Sequence, residues 1–258
     1  MKHPAKVFPF IFLVLVSVTP GFPDSRMMPV PGTTLTLEFP DLPPMHDGLP
    51  AACEVNVPGN HDPSAPDRPL PLFVWFGGGK GSHKVDGARG LVDFDRWAVV
   101  ALPYPGGVTP RSLARDMEID GHWRYARRML ARVRELLPGV EHGQRVVAGT
   151  SSGAHMIGCG LDRVWLDFVN GFDAFILHEG GASPLDVYRG ARDKRLLVVW
   201  GEKSTALDWQ LSFNRKIRRS GAQIAFESVP GAGHGLTDAG REKIREWING
   251  MTPSALGK

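Results

Sequence analysis

Residues 146–153 are Val-Val-Ala-Gly-Thr-Ser-Ser-Gly, a β-branched run that ends in the pattern G-x-S-x-G, and an apolar stretch without proline follows. This order predicts a strand, a sharp turn and a helix, with Ser151 at the tip of the turn. The glycines two positions before and after Ser151 allow the strand and the helix to approach closely. The serine hydroxyl then lies at a helix N-terminus, where a developing negative charge is favoured. The stretch therefore predicts an α/β sheet that carries a nucleophilic serine.

The composition is that of a globular protein with one sizeable core. The chain has 258 residues, of which 42% are hydrophobic and 22% are charged. Without Lys2 and Lys6, 28 of the 30 basic residues remain against 27 acidic ones, and this balance argues against nucleic-acid binding. The histidines and cysteines have no metal-ligand spacing, so we expect neither a metal nor another cofactor. Cys53 and Cys159 could form a disulfide or remain two buried thiols.

The first twenty residues have the features of a secretory signal. Lys2, His3 and Lys6 precede an apolar run over 7–18 that is too short to span a bilayer comfortably. No small-x-small cleavage pattern precedes Pro20, so an uncleaved N-terminal anchor is the alternative. We expect an exported protein, secreted or periplasmic, with no other contact with a membrane. The sequence does not predict an oligomeric state.

Strands and helices alternate through most of the chain. Residues 21–50 form a proline-rich lead-in with one strand, residues 51–250 hold the alternating elements, and residues 251–258 form a C-terminal tail. The predicted strands are 33–39, 51–57, 72–76, 98–102, 145–148, 174–177, 195–200 and 223–229. The predicted helices are 112–137, the segment after Ser151, 206–219 and 237–249, with Ser112 as the first N-cap. This order predicts one domain with a mostly parallel sheet and helices on both faces.

Three glycine-rich elements, in their order along the chain, resemble the α/β-hydrolase family in its compact esterase-like members. They are the turn 76–81 after an early strand, the elbow 149–153, and the loop 229–235 before the last helix. The resemblance covers about residues 50–250 and implies a single-domain α/β-hydrolase fold without a large lid. It also implies a serine hydrolase that cleaves carboxylic esters through an acyl-enzyme. Similarity to secreted feruloyl esterases and polyhydroxybutyrate depolymerases implies a small-molecule or polymer-linked ester as substrate.

The resemblance assigns roles that ester chemistry explains. A serine hydroxyl is a poor nucleophile at neutral pH, so Ser151 needs a base, and His234 in the late loop can accept and later return its proton. A tetrahedral intermediate needs donors for its oxyanion. The backbone N–H group of Ser152, together with that of Gly78 or Gly79, is expected to supply them.

The usual position of the acid that would orient the histidine does not hold a carboxylate in this sequence. In the family it usually follows the penultimate strand within Gly-x-x-Asp, but here residues 201–204 end in Ser204. Glu179 ends the preceding predicted strand, where some family members have their acid, and is our first choice. Asp208 is the second choice and Glu202 the third. Ser204 could also orient the histidine by a neutral hydrogen bond.

Two other functions stay open. A serine peptidase of the same fold would use the same residues, although such enzymes commonly carry an additional domain. A non-catalytic binding protein with a hydrolase fold is the second alternative, and the serine in the usual acid position supports it. The nucleophile, the base and the glycine turn together favour an enzyme.

Overall fold

A computed structural model gives the fold of residues 29–110 and 118–251. The predicted signal segment, the C-terminal tail from residue 252 and the predicted helix start at Ser112 lie outside these described residues. The strands within them are β1 (Thr34–Glu38), β2 (Ala52–Asn56), β3 (Leu72–Phe76), β4 (Ala98–Leu102), β5 (Arg145–Thr150), β6 (Ala174–His178), β7 (Arg195–Gly201) and β8 (Gln223–Val229).

The helices follow the predicted order, with one addition. They are α1 (Ile119–Leu136), α2 (Ser152–Arg163), α3 (Leu166–Gly171), α4 (Leu207–Ile217) and α5 (Asp238–Asn249). The six-residue α3 was not predicted, because it is too short to show a helical period. The α5 helix begins where expected, and the Thr237 hydroxyl caps it by accepting a hydrogen bond from the N–H group of Gly240. No helix of the described residues is long and apolar enough to cross a membrane.

All eight strands form one sheet in the order β1-β2-β4-β3-β5-β6-β7-β8. The strands from β3 to β8 pair in parallel, and β2 pairs antiparallel with β1 and β4. The β5 strand extends two residues beyond the predicted end, because Gly149 and Thr150 continue its pairing with Leu177 and His178 of β6. Ser151 therefore follows the last paired residue of the strand directly.

The central strands of the sheet are buried on both faces, which is why they are continuous apolar runs. Leu72, Val74 and Phe76 of β3 face a larger core that α1, α2, α3 and α4 cover. Phe73 and Trp75 face a smaller core that α5 and residues 85–97 cover. The predicted parallel sheet with helices on both faces is confirmed.

Neither cysteine forms a disulfide. Cys53 in β2 and Cys159 in α2 are both free and fully buried in the larger core. Burial in an apolar environment disfavours the thiolate and raises the pKa of Cys53 to about 12 and that of Cys159 to about 11. Of the two possibilities that the sequence left open, the structure has the two buried thiols.

Candidate active site

Ser151 lies in the sharp turn between β5 and α2, at the carboxyl edge of the parallel sheet. Its backbone angles are φ 51° and ψ −111°, a conformation that is strained for any residue other than glycine. The turn is fixed on both sides: the Ser151 N–H group donates to the carbonyl of His178, and the His155 N–H group donates to the carbonyl of Ser151. The strained serine is therefore held rigidly at the start of a helix, as the elbow pattern predicts.

His234 connects Ser151 to a carboxylate. Its Nε2 atom lies 3.2 Å from the Ser151 Oγ atom, and its Nδ1 atom lies 3.1 Å from Oε2 of Glu179. When Glu179 is ionised it can only accept, so Nδ1 carries the proton and donates it to the carboxylate. This leaves Nε2 free to accept the hydrogen of the serine hydroxyl. The three side chains form a continuous hydrogen-bonded chain, although 83 positions separate Ser151 from His234.

The Glu179 carboxylate is buried, with 1% of its side chain exposed, and has further donors. Oε1 accepts a 2.6 Å hydrogen bond from the N–H group of Gly201, and Oε2 accepts a 2.7 Å bond from the hydroxyl of Ser204. A buried carboxylate needs such donors because it has lost its water. The Glu179 backbone has a positive φ of 52° and is held by a hydrogen bond from its N–H group to the carbonyl of Val199.

The other two candidate acids lie elsewhere. Asp208 is exposed in the first turn of α4. Glu202 is also exposed, and it accepts a hydrogen bond from the hydroxyl of Ser228. Ser204 occupies the usual acid position, but its hydroxyl contacts Glu179 rather than the histidine. The structure thus brings together the first of the three ranked carboxylates with His234.

The sequence predicts that backbone amides of Gly78 or Gly79 and of Ser152 bind an oxyanion, and these residues stand after β3 and at the start of α2. Gly78 packs against the elbow so closely that a Cβ atom added there would lie 3.4 Å from Cβ of Ser151. Gly79 follows with a φ of 58°, and Ser152 is the first residue of α2. Among the described residues, none accepts a hydrogen bond from the amides of Gly78, Gly79 or Ser152. These amides are therefore available to an anionic ligand atom.

Two hydrogen bonds support the glycine turn and the elbow, and no sequence motif predicts either of them. The buried hydroxyl of Tyr104, after β4, donates a 2.6 Å hydrogen bond to the carbonyl of Gly77 and so anchors the glycine turn. Below the elbow, the hydroxyl of Thr150 lies 2.8 Å from Nδ1 of His178, which the strand register places opposite it. The contact between Thr150 and His178 follows from the pairing of β5 with β6, which cannot be read from the sequence.

His178 is buried beside the acid and stays neutral. Desolvation lowers its pKa to about 4, and the opposing attraction of the Glu179 charge is weaker. A second charge beside the hydrogen-bonded chain is thereby avoided at neutral pH. Among the described residues, no group of three or more His, Cys, Asp or Glu side chains could hold a metal ion.

Comparison with known proteins gives structural relatives only. No protein-family model and no curated protein matches the sequence. Thermogutta terrifontis esterase 2 phosphorylated by paraoxon is similar with a TM-score of 0.56 and 17% identity, over 84% of this chain and 92% of that chain. Staphylococcus aureus FphF, a fluorophosphonate-binding serine hydrolase, has a TM-score of 0.54 and 13% identity, over 85% of this chain and 98% of that chain. The structure of YahD with malic acid has a TM-score of 0.52 and 15% identity, over 70% of this chain and 93% of that chain.

At these identities the similarity concerns the fold. It extends over most of this chain and nearly all of each solved chain, so it concerns the fold as a whole and not a local motif. The order of elements is consistent with it, because the elbow follows a central parallel strand and the histidine loop follows the last one. The chain has the α/β-hydrolase fold.

Proposed function

We propose that this protein is a serine hydrolase that cleaves carboxylic esters through an acyl-enzyme intermediate. The observation that carries the proposal is the chain of hydrogen bonds from Ser151 through His234 to Glu179, with unbound amides beside the serine. Such a chain activates a hydroxyl that would otherwise be a weak nucleophile. The solved relatives are described as an esterase and a serine hydrolase, which supports the same chemistry here.

In the first half of the reaction, the Ser151 Oγ atom attacks the ester carbonyl while Nε2 of His234 takes the hydroxyl proton. The resulting imidazolium donates from Nδ1 to Glu179, whose negative charge stabilises it. The amides of Ser152 and of Gly78 or Gly79 donate to the oxyanion of the tetrahedral intermediate. The intermediate collapses when the carbon–oxygen bond to the alcohol breaks, and His234 gives its proton to the departing alkoxide.

In the second half, water replaces the alcohol. His234 accepts a proton from water as the water oxygen attacks the acyl carbon, and the same amides stabilise the second oxyanion. The ester bond to Ser151 then breaks, the serine oxygen recovers the proton from His234, and the acid is released. No cofactor enters this sequence of steps.

A fluorophosphonate probe tests the activated serine directly. We expect the wild-type protein to be labelled and to hydrolyse p-nitrophenyl esters, and Ser151→Ala to lose labelling and at least about 10³-fold in kcat. Ser64→Ala is the matched control, because Ser64 is an exposed serine outside the site. Absence of labelling of the wild type at every pH from 6 to 9 would refute the proposal and favour a non-catalytic binding protein.

The acid has a separate test. Glu179→Gln should lower kcat by about 10³–10⁴-fold, because the amide cannot hold the imidazolium as a carboxylate does. Asp208→Asn and Glu202→Gln are matched controls with the same charge change on exposed residues, and both should retain wild-type kcat. If Asp208→Asn alone reduced the rate by orders of magnitude, the assignment of Glu179 would be wrong.

The substrate class and the export of the protein belong to the same proposal. The resemblance to compact secreted esterases supports a polymer-linked or small ester, and residues 1–20 support export or an N-terminal anchor. A panel of p-nitrophenyl esters of increasing chain length, beside aryl and sugar esters and a peptide amide, separates esterase from peptidase activity. N-terminal sequencing of the protein from the culture medium and from membranes distinguishes a cleaved signal from an anchor.

A further inference from the structure

Ser204 touches the acid from the position that an acid usually occupies in this fold. Its hydroxyl donates to Oε2 of Glu179 at 2.7 Å, and the same oxygen accepts the hydrogen bond from His234. Building on the proposed function, we propose that Ser204 is a positioning residue that holds the Glu179 carboxylate in place for His234. It would act through Glu179 and make no contact with the substrate.

The direction of the Ser204 hydroxyl is fixed by its other contacts. A hydroxyl has one hydrogen to donate and two lone pairs to accept with. The Ser204 Oγ atom accepts from the N–H group of Ala206 at 3.3 Å, and an ionised Glu179 can only accept. The hydroxyl hydrogen must therefore point at the carboxylate. Ser204 is 6% exposed, so water has little access to compete for this hydrogen.

The backbone of Ser204 is equally constrained. Its N–H group donates to the carbonyl of Gly201, and its own carbonyl accepts from the N–H group of Leu207. These hydrogen bonds tie the residue to the end of β7 on one side and to the start of α4 on the other. The donor is thus carried by a fixed turn rather than by a mobile loop.

A glutamate needs such a donor more than an aspartate does. Its side chain has three rotatable bonds, so its carboxylate can reach many orientations unless contacts select one. Two donors select it here: the N–H group of Gly201, the last residue of β7, binds Oε1, and the hydroxyl of Ser204, in the turn after β7, binds Oε2. The Gly201 donor is backbone and remains in any side-chain variant. Ser204 is therefore the contact whose removal frees Oε2 from all but His234.

Replacement of Ser204 by alanine tests the proposal. We expect kcat for a p-nitrophenyl ester to fall about tenfold in Ser204→Ala, the usual scale for one lost hydrogen bond to a charged group, with KM within about twofold. The rate of fluorophosphonate labelling should fall in parallel, because it also needs His234. Ser204→Thr keeps the hydroxyl on the same carbon and should recover kcat to within about threefold of wild type.

Ser228→Ala is a matched control. It removes a hydrogen bond of the same type, from a serine hydroxyl to Oε1 of the exposed Glu202 at 2.8 Å, and should leave kcat unchanged. A spectroscopic readout does not depend on turnover: the downfield proton resonance of Nδ1 of His234 should shift in Ser204→Ala and stay in Ser228→Ala. Ser204→Cys, of similar volume and with a weak S–H donor, should lose kcat as the alanine variant does, which separates hydrogen bonding from packing.

A Ser204→Ala variant with kcat within twofold of wild type and an unmoved Nδ1 resonance would overturn the positioning role. That outcome is distinct from a failure of the proposed function. In the first case the wild type is labelled by the fluorophosphonate and only the variant behaves unexpectedly. In the second case the wild type itself is not labelled.

Discussion

At the scale of single residues, Gly153 shows how little space the elbow leaves for a side chain. A Cβ atom added to it would lie 2.1 Å from the carbonyl oxygen of Phe76, a backbone atom of β3 that cannot move without disturbing the sheet. We therefore expect Gly153→Ala to lower the free energy of unfolding by about 3 kcal/mol and to abolish labelling of Ser151. Chemical denaturation and probe labelling measure the two effects.

Gly121→Ala is the control for the elbow glycine. Gly121 lies in the first turn of α1, where an added Cβ atom meets only a side-chain nitrogen of Arg124 at 3.7 Å. The substitution should be neutral or stabilise the protein by up to about 1 kcal/mol, because alanine is the better helix former. Equal destabilisation by both substitutions would contradict the steric explanation.

His178 predicts a pH dependence of stability. Its pKa is lowered to about 4 by burial, whereas the unfolded chain has an ordinary histidine near 6.5. Between these values the unfolded state binds a proton that the folded state does not, so stability is full above pH 6.5 and declines as the pH falls towards 4. We expect this residue to account for a loss of about 2 kcal/mol in the free energy of unfolding between pH 7 and pH 5.

Urea denaturation at a series of pH values checks this contribution. His178→Gln should have a flatter decline below pH 6.5 than the wild type, because the titrating ring is gone. His142→Gln, a substitution of an exposed histidine, should leave the decline as it is. A wild-type stability that stays constant from pH 7 to pH 5 would contradict the assignment of a buried neutral ring.

Single residues also mark the limit of what the sequence predicts at the site. Ser151 and His234 stand in glycine-rich patterns with a steric reason for each glycine, so their proximity could be expected from the sequence. Glu179 has no such pattern, and its selection over Asp208 depends on burial and on donors at the end of β7 and in the turn after it. Those donors are backbone and side-chain groups 22 and 25 positions away, which no local pattern reveals.

At the scale of elements, one carboxylate holds the connection between β6 and β7. Asp162, in the last turn of α2, is buried and accepts hydrogen bonds from four successive backbone N–H groups. The donors are Leu185 and Asp186 on Oδ2, and Val187 and Tyr188 on Oδ1. Because this connection begins at Glu179, its attachment to α2 also limits the movement of the acid.

Asp162→Asn should release this connection. An amide nitrogen cannot accept, so at least one pair of N–H groups loses its acceptor, at a cost of about 3 kcal/mol in the free energy of unfolding. Hydrogen exchange should show faster exchange of the amides of residues 185–188 in the variant, and denaturation should show the loss of stability. Asp93→Asn is the control, since exposed Asp93 accepts from one N–H group, that of Asp95, and should cost less than about 1 kcal/mol.

Strands and helices with a clear sequence pattern were predictable. Short elements, and elements whose bounds depend on pairing or packing with others, were not. The bounds of β3, β4 and β8 are those of the predicted strands, because each strand is followed directly by a glycine or a proline that ends it. The extension of β5 to Thr150 depends on pairing with β6, and α3 depends on packing of Phe168 and Val169 in the larger core. Pairing partners and packing surfaces are properties of the assembled sheet, so a local reading of the sequence omits them.

At the scale of the whole molecule, the two cysteines report on the integrity of the larger core. Cys53 is in β2 near one edge of the sheet, and Cys159 is in α2 over its centre. Both are 0% exposed, and burial raises the pKa of both thiols. Reaction of both thiols with a thiol reagent therefore requires the core to open at β2 and at α2.

We expect the thiols of the native protein to react with an aromatic disulfide such as dithiobis(nitrobenzoate) only at the rate of global unfolding. The denatured protein should expose two reactive thiols. Each single variant, Cys53→Ala or Cys159→Ala, retains one cysteine. Once the stability of each variant is taken into account, the remaining cysteine should react at the same rate in both, because only global unfolding exposes it. Ser64→Cys adds an exposed thiol and should react at once in the native state. A native Cys53 or Cys159 that reacts as fast as this added thiol would mean that the larger core opens locally, and would contradict its cooperative unfolding.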